Sequence, residues 1–299
     1  MPNAELLTRF RTSVRYQRAR SWQKPLLDPR RFLANQLRKY GLASQTPGAL
    51  HTVPAFHVPE FTVVEGETVS QQIVSYSLFE PELTEAFLHL VNPGDVVLDI
   101  GMHLGYYATL FAVLVGERGQ VHGFEPTPST REIAVRNTSQ FPQIQVHPLA
   151  VWSSNKTVVL RDYGSQWMGF NSLIRAKLTE EPVPPKEIEV QAITLEEFRS
   201  SLEKGRKVSL MKIDAESAER DIIRGGKQLL ENDRPLISVE VGDQGSSNES
   251  RLLLEDLRAL DYVPWEFQSG QFVRHEARET YGYDNLIFAP RAVDLKVVS

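Results

Sequence analysis

The sequence predicts an α/β protein: a mostly parallel sheet with helices on both faces, preceded by a basic helical arm. Three observations carry this. From Val96 onward, short Val/Ile/Leu-rich runs alternate with segments of helical period, the pattern of a sheet buried on both faces. The run VVLDIGMHLGYYATLFA, Val96 to Ala112, reads as a buried strand, a glycine turn at Gly101 and Gly105, and a helix. VHGFEP follows, so one βαβ unit carries an acid, Asp99 or Glu125, at the carboxyl end of each strand.

The elements follow in order. DPRRFLANQLRKYG predicts a short helix with Asp28 as N-cap, Pro29 in the first turn and Gly41 past the end. Residues 42–60, rich in Pro, Ser, Thr and Gly, read as a linker, and 61–77 as short β-type runs broken by Gly66. Leu83, Phe87 and Leu90 give 81–91 a helical period. Then come strand 96–100, helix 105–115, strand 120–125, helix 128–138 with Thr127 as cap, and strand 144–151. TVVLRDY (157–163) and EIEVQAIT (187–194) read as added antiparallel strands. Helix 194–202 starts on a capping box of Thr194 and Glu197. Strand 208–214, helix 218–233, strand 235–241, helix 249–262 and strands 263–267 and 285–289 complete the pattern. Residues 1–80 are thus expected to form an arm and linker, 81–290 the main domain and 291–299 a tail.

Composition narrows the function. A hydrophobic content of 41% with 24% charged residues fits a globular protein. No apolar run approaches the ~20 residues that span a bilayer. With no cysteine, a disulfide framework, a thiol nucleophile and a cysteine zinc site are excluded. The cytoplasm is the simplest compartment. Charge is uneven: residues 1–40 hold ten Lys/Arg against Glu5 and Asp28, while the whole chain is at −5. Such asymmetry marks either a solvated helical arm or a peripheral contact with an acidic or membrane surface. LLTRFRTSVRYQRARSW is also Arg-rich and acid-poor, like an organellar transit peptide.

Charge also identifies the cofactor class. A pyrophosphate on a helix N-terminus calls for G-x-G-x-x-G; here His103 takes the place of the middle glycine, and Asp99 would repel a pyrophosphate. An acid suits the ammonium and sulfonium of S-adenosylmethionine. Glu125 suits a ribose, because a carboxylate accepts hydrogen bonds from two vicinal hydroxyls. Asp99, Gly101, His103, Gly105 and Glu125 are therefore the expected cofactor contacts, with Ala150 and Val151 at the third strand end. For the glycines the competing reading is backbone geometry alone, and for Glu125 a cap on the next helix.

Lys212, Asp214 and Glu216 alternate along the end of strand 208–214 and its exit, and Glu240 ends the next strand. Carboxyl strand ends are where ligands sit in open α/β sheets. Asp214, Glu216 and His103 are the candidate general bases, in that order. Lys212 and Glu240 are candidate substrate contacts or members of a structural ion pair. Tyr106, Trp167, Asn171 and Ser172 are candidates for an acceptor pocket, with core packing the alternative for Tyr106. Asp214, Glu216 and Glu240 would be a divalent-metal set, but methyl transfer requires no metal and their spacing is not diagnostic, so none is expected.

VLDIGMHLGYYATLFA, FEPTPSTREIAVRN, LMKIDAESAERDIIRGGKQLL and PLISVEV, in that order, resemble the FkbM-family methyltransferases over roughly residues 90–265. The resemblance implies a class I, Rossmann-like, seven-stranded sheet and S-adenosylmethionine-dependent O-methylation of a hydroxyl on a sugar, glycolipid or natural product. Two departures stand out. The family reads D-I-G-A-N-x-G where this chain has Met102 and His103, and K-x-D-x-E-G where it has Ser217. A small-molecule or carbohydrate substrate is then expected. The alternative is a non-catalytic methyltransferase-like module docking through its basic arm. Nucleic acid is not expected as a partner: the core is acidic, and basic–aromatic interleaving is confined to the arm.

Overall fold

The computed structural model describes residues 4–40, 46–164, 168, 183–215, 217–243, 248–282 and 284–297. Three helices open the chain, α1 (Ala4–Arg18), α2 (Lys24–Leu27) and α3 (Pro29–Lys39). Strands β1 (Leu50–Ala55) and β2 (Val58–Val64) follow, then helices α4 (Thr68–Tyr76) and α5 (Pro81–Leu90). The alternating part runs β3 (Val96–Ile100), α6 (Tyr106–Val115), β4 (Gln120–Phe124), α7 (Pro128–Thr138), β5 (Ile144–His147). Strands β6 (Ala150–Val151), β7 (Lys156–Asp162) and β8 (Lys186–Ile193) come next, then α8 (Leu195–Ser201) and β9 (Leu210–Ile213). The chain continues with α9 (Glu219–Arg224), α10 (Lys227–Asp233), β10 (Leu236–Val241), α11 (Glu249–Ala259), β11 (Tyr262–Gln268), β12 (Gln271–Arg274) and β13 (Asp284–Pro290).

The main sheet has the order β12-β11-β13-β10-β9-β3-β4-β5. Strands β10, β9, β3, β4 and β5 are mutually parallel, while β13 runs antiparallel to both β10 and β11. Seven of these strands are those the sequence predicts. The eighth, β12, is an edge strand folded back on β11 by a two-residue turn, Ser269–Gly270, with φ 52° and 82°. Positive φ at both turn positions matches the twist of a tight hairpin.

Consecutive residues of β3 point to opposite faces. Val97 enters one apolar cluster with Phe61, Phe87, Leu110 and Phe111; Leu98 and Ile100 enter another with Leu195, Ile222, Leu254 and Leu257. Each such large side chain, fully buried, contributes about 1.5–3 kcal/mol.

Four sequence expectations are corrected. The linker over 42–60 is in part the antiparallel hairpin of β1 and β2. Its Phe61, Val63 and Val64 are buried in the first cluster, and Asn137 of α7 exchanges two hydrogen bonds with the Thr62 backbone. The β-type reading of 61–77 holds only to Val64, because Glu67 caps α4 through the Val69 and Ser70 N–H groups. Strand 144–151 breaks at Pro148: β5 stays in the main sheet, and β6 joins a three-stranded sheet with β8 and β7. That sheet contains the expected antiparallel pair, β7 with β8. Helix 218–233 is two helices. At the break, Gly225 packs on the Trp152 carbonyl and Gly226 on Leu195, with no room for a Cβ on either.

Candidate functional site

The site lies at the carboxyl ends of β3, β4, β9 and β10. Strand order reverses there, since β3 leads to β4 on one side and β9 to β10 on the other, which opens a crevice above the sheet. The turn after β3 is anchored by the N–H groups of Gly101 and Met102, both donating to the Phe124 carbonyl at 3.1 Å. It then passes through positive φ at His103 (52°) and Gly105 (85°). His is among the non-glycine residues that reach this region most readily, so the residue that departs from the family pattern still fits the turn.

Glu125 ties two loops together. Its Oε2 accepts the His103 N–H at 3.1 Å and its Oε1 accepts the Thr127 N–H at 2.9 Å. Glu125 thus braces the turn that leads into α7 and also lines the cavity. Burial pushes its carboxyl up to about 7, against the lowering effect of those hydrogen bonds.

A cavity of about 230 Å³ opens over the turn. One wall is apolar, including Phe124, Leu149, Ala150, Val151 and Met168; another part carries Glu80, His103, Lys212, Asp214 and Glu240. Lys212 is 4% exposed, with Nζ 3.0 Å from Asp214 Oδ2 and 4.0 Å from Asp99 Oδ1. Burial opposes its charge, but Asp214, Asp99 and Glu80 outweigh that and raise its pKa above the ordinary lysine value. Lys212 therefore stays protonated and cannot serve as a base. Burial raises the Asp99 carboxyl to about 6, with Lys212 pulling it back. Burial lowers the His103 pKa, Glu67 and Asp214 opposing, so the imidazole is neutral at pH 7; its buried Nε2 has no hydrogen-bond partner among the described residues.

The structure therefore brings Gly101, His103, Tyr106, Glu125, Ala150, Val151, Lys212, Asp214 and Glu240 to one cavity. Asp99 and Gly105 stand behind it and do not line it. Asp99 sits beneath Lys212, and Gly105 starts α6 where an added Cβ would meet Thr138 at 3.3 Å and Met102 at 3.4 Å. Tyr106 is mainly a packing residue: it is 3% exposed, its hydroxyl accepts the Phe79 N–H at 3.2 Å, and its ring meets His57, Phe61 and Phe79 edge-on. Glu216, Trp167, Asn171 and Ser172 lie outside the described residues. Among the described residues no group of three His, Asp or Glu side chains could hold a metal ion.

Glu80 is the residue sequence reasoning missed. It precedes Pro81 at the start of α5 with φ 39°, and its side chain does not cap that helix. Instead Oε2 accepts the Tyr107 hydroxyl at 2.8 Å and Oε1 the Asn285 amide at 3.0 Å. Burial and then Asp214 raise its pKa, with Lys212, Tyr107 and Asn285 opposing. An acid immediately before Pro at a helix start was the one signal in the sequence, and it reads as an ordinary cap.

The eight-stranded, mostly parallel sheet with helices on both faces and a cavity at its switch point is a Rossmann-like architecture, as expected of a class I methyltransferase. Residues 99–264, more than half of the chain, match the family model of the Methyltransferase FkbM domain, and the chain belongs to that family. Residues 34–153 also match the model of protein-L-isoaspartate(D-aspartate) O-methyltransferase. A curated relative, protein-L-isoaspartate O-methyltransferase 1 of Archaeoglobus fulgidus, is 33% identical over 118 residues, covering 38% of this chain and 55% of that protein. The chain thus spans about half the length of the curated relative it matches. Among solved structures, a methyltransferase FkbM from Methylobacillus flagellatus KT is 13% identical with a TM-score of 0.40, covering 73% of this chain and 54% of that one. Aeropyrum pernix fibrillarin with natively bound S-adenosyl-L-methionine is 13% identical with a TM-score of 0.42, covering 70% and 74%. No helix among the described residues is long and apolar enough to cross a membrane.

S-adenosylmethionine is the cofactor of this family, and the cavity fits it. Glu125 keeps lone pairs for ribose hydroxyls beyond the two backbone N–H groups it accepts. The apolar wall of Leu149, Ala150 and Val151 suits an adenine, and Glu80 and Glu240, acids additional to the Lys212–Asp214 pair, suit a cationic ligand.

Proposed function

We propose that this chain is an S-adenosylmethionine-dependent O-methyltransferase whose acceptor is a hydroxyl of a sugar, glycolipid or natural product. The observation that carries the reading is the placement of the Lys212–Asp214 pair in the same cavity as Glu125 and the neutral His103. When bound, the cofactor supplies an electrophilic methyl group on a sulfonium. Glu125 holds the ribose end, and Glu80 and Glu240 favour the cationic end. Lys212 orients Asp214 through their 3.0 Å ion pair. Asp214 takes the proton of the acceptor hydroxyl, a general-base contribution of about 10²–10⁴-fold. Donor and acceptor together would displace water from the partly apolar cavity, which favours a step in which opposite charges are neutralised. Alignment of acceptor and donor supplies a larger share, up to about 7–11 kcal/mol in well-oriented systems.

A second reading is methylation of a protein carboxylate. The match of residues 34–153 to the isoaspartate methyltransferase model and the Archaeoglobus relative favour it. One experiment separates the two. The full chain is incubated with methyl-labelled S-adenosylmethionine and either hydroxylated small acceptors or an isoaspartyl peptide. Label in an alkali-stable ether supports the first reading, and label released by mild alkali as methanol supports the second. No transfer to either class, from protein that binds the cofactor, supports the non-catalytic alternative.

A further inference from the structure

The helices of the arm are fastened to the body in opposite ways, α1 by its apolar side and α3 by its polar side. Helix α1 is held by Leu6, Phe10 and Tyr16, all buried, and turns Arg11, Arg15 and Arg18 to solvent. Helix α3 is tethered by polar groups: Arg31 Nη1 donates to the Tyr76 carbonyl and Asn35 Nδ2 to the Ser75 carbonyl, each at 3.1 Å. Leu33, Leu37 and Tyr40 recur at helical spacing on one stripe and are exposed. Leu26 of α2 is 77% exposed and Trp22, between α1 and α2, 65%. Exposed Arg30 and Lys39 border the stripe. A solvated helix would show the reverse polarity. Five of the twelve large apolar side chains exposed among the described residues fall within 22–40, so they form a feature of the arm and are not scattered.

We propose that this face, Trp22, Leu26, Leu33, Leu37 and Tyr40 with its arginine and lysine border, docks on an anionic lipid surface. The chemistry is that of an interfacial amphipathic helix: Leu side chains enter the acyl boundary, Trp and Tyr sit at headgroup level, and cations meet lipid phosphates. Charge chooses the occupant. Residues 1–40 carry ten Lys/Arg against two acids, whereas the rest of the chain is strongly acidic. An anionic surface therefore attracts the arm and repels the body, which orients the protein arm-first. A two-fold contact between copies through this face would bring two basic borders together, and like charges oppose it.

The test is co-sedimentation of the full chain with vesicles of phosphatidylcholine alone and of phosphatidylcholine mixed with phosphatidylglycerol. Two variants accompany it, Leu33→Glu/Leu37→Glu and Arg30→Glu/Lys39→Glu, both at exposed positions away from the cavity. Wild-type protein is expected to bind the mixed vesicles and not the neutral ones, and each variant to bind about tenfold more weakly or less. Failure to bind mixed vesicles overturns the proposal, as does equal binding by both variants. A concentration-dependent dimer that Leu33→Glu/Leu37→Glu abolishes, without vesicle binding by wild type, assigns the face to a second copy and also overturns it.

Discussion

A Cβ placed on Gly101 would lie 1.8 Å from the backbone carbonyl oxygen of Asp214. The glycine turn after β3 and the exit of β9, which carries the proposed base, are therefore in backbone contact. Gly101 also has φ 76°, so a side chain there meets both a clash and an unfavourable backbone. Gly101→Ala should destabilise the protein by about 2–3 kcal/mol and abolish cofactor binding. Urea denaturation and calorimetric titration check both; an unchanged midpoint would show that the two loops can separate freely.

Glu125 should make cofactor binding pH-dependent. Its carboxyl, pushed up to about 7 by burial, is largely protonated in mild acid, and the ionised form is the better acceptor for ribose hydroxyls. Affinity for S-adenosylmethionine should rise as pH passes upward through about 7, and Glu125→Gln should bind weakly with a flat profile. Stability runs the other way. The folded pKa lies above the ordinary glutamate value of 4.5, so the folded state holds this proton more tightly than the unfolded state. The resulting stabilisation is full below the unfolded value and is lost as pH rises through about 7. Thermal melts of cofactor-free wild type should therefore fall more steeply over this window than those of Glu125→Gln.

Asp214→Asn should leave cofactor affinity nearly intact and lower turnover by about tenfold or more. The amide keeps the shape beside Lys212 but cannot take a proton. Single-turnover kinetics with a working acceptor would show it. Normal turnover removes Asp214 as the base and leaves Glu216 and then His103, which Glu216→Gln and His103→Asn test in turn, the latter without disturbing a backbone conformation that Asn also adopts readily.

Ser217 has φ 79°, a region that favours glycine, at the position where the family pattern has glycine. Ser217→Gly should raise stability by about 0.5–1 kcal/mol, the relief of left-handed strain less the extra chain entropy of glycine. A lower urea midpoint in the variant would mean that the serine side chain stabilises the turn.

Glu80→Gln keeps an acceptor for the Tyr107 hydroxyl but removes a charge from the cavity. Affinity for S-adenosylmethionine should fall by about tenfold, the size of one charge-assisted hydrogen bond. Unaltered affinity would confine Glu80 to bridging Tyr107 and Asn285.

The order of core elements was legible in the sequence because their hydrophobic periods are local. Val96–Ile100 and Leu236–Val241, VVLDI and LISVEV, are short Val/Ile/Leu-rich runs of the kind a doubly covered strand requires. The glycine turn after β3 was legible too, since an acid and two glycines within seven residues at a strand end leave few conformations. The hairpin at residues 50–64 was not, because its prolines and small polar residues resemble a linker until Phe61, Val63 and Val64 find the core.

By itself, the sequence determined the α/β class, the βαβ unit with Asp99 and Glu125, and the basic arm. Only the tertiary structure decided that Asp99 lies behind Lys212 and outside the cavity, that Glu80 reaches Tyr107 and Asn285, and that the arm turns Leu33 and Leu37 outward. The physical reason is distance along the chain. Backbone period and turn chemistry act over a few residues, whereas Glu80 and Asn285 stand 205 residues apart. Their meeting depends on how β13 packs beside β10, and on which face of each helix finds the sheet.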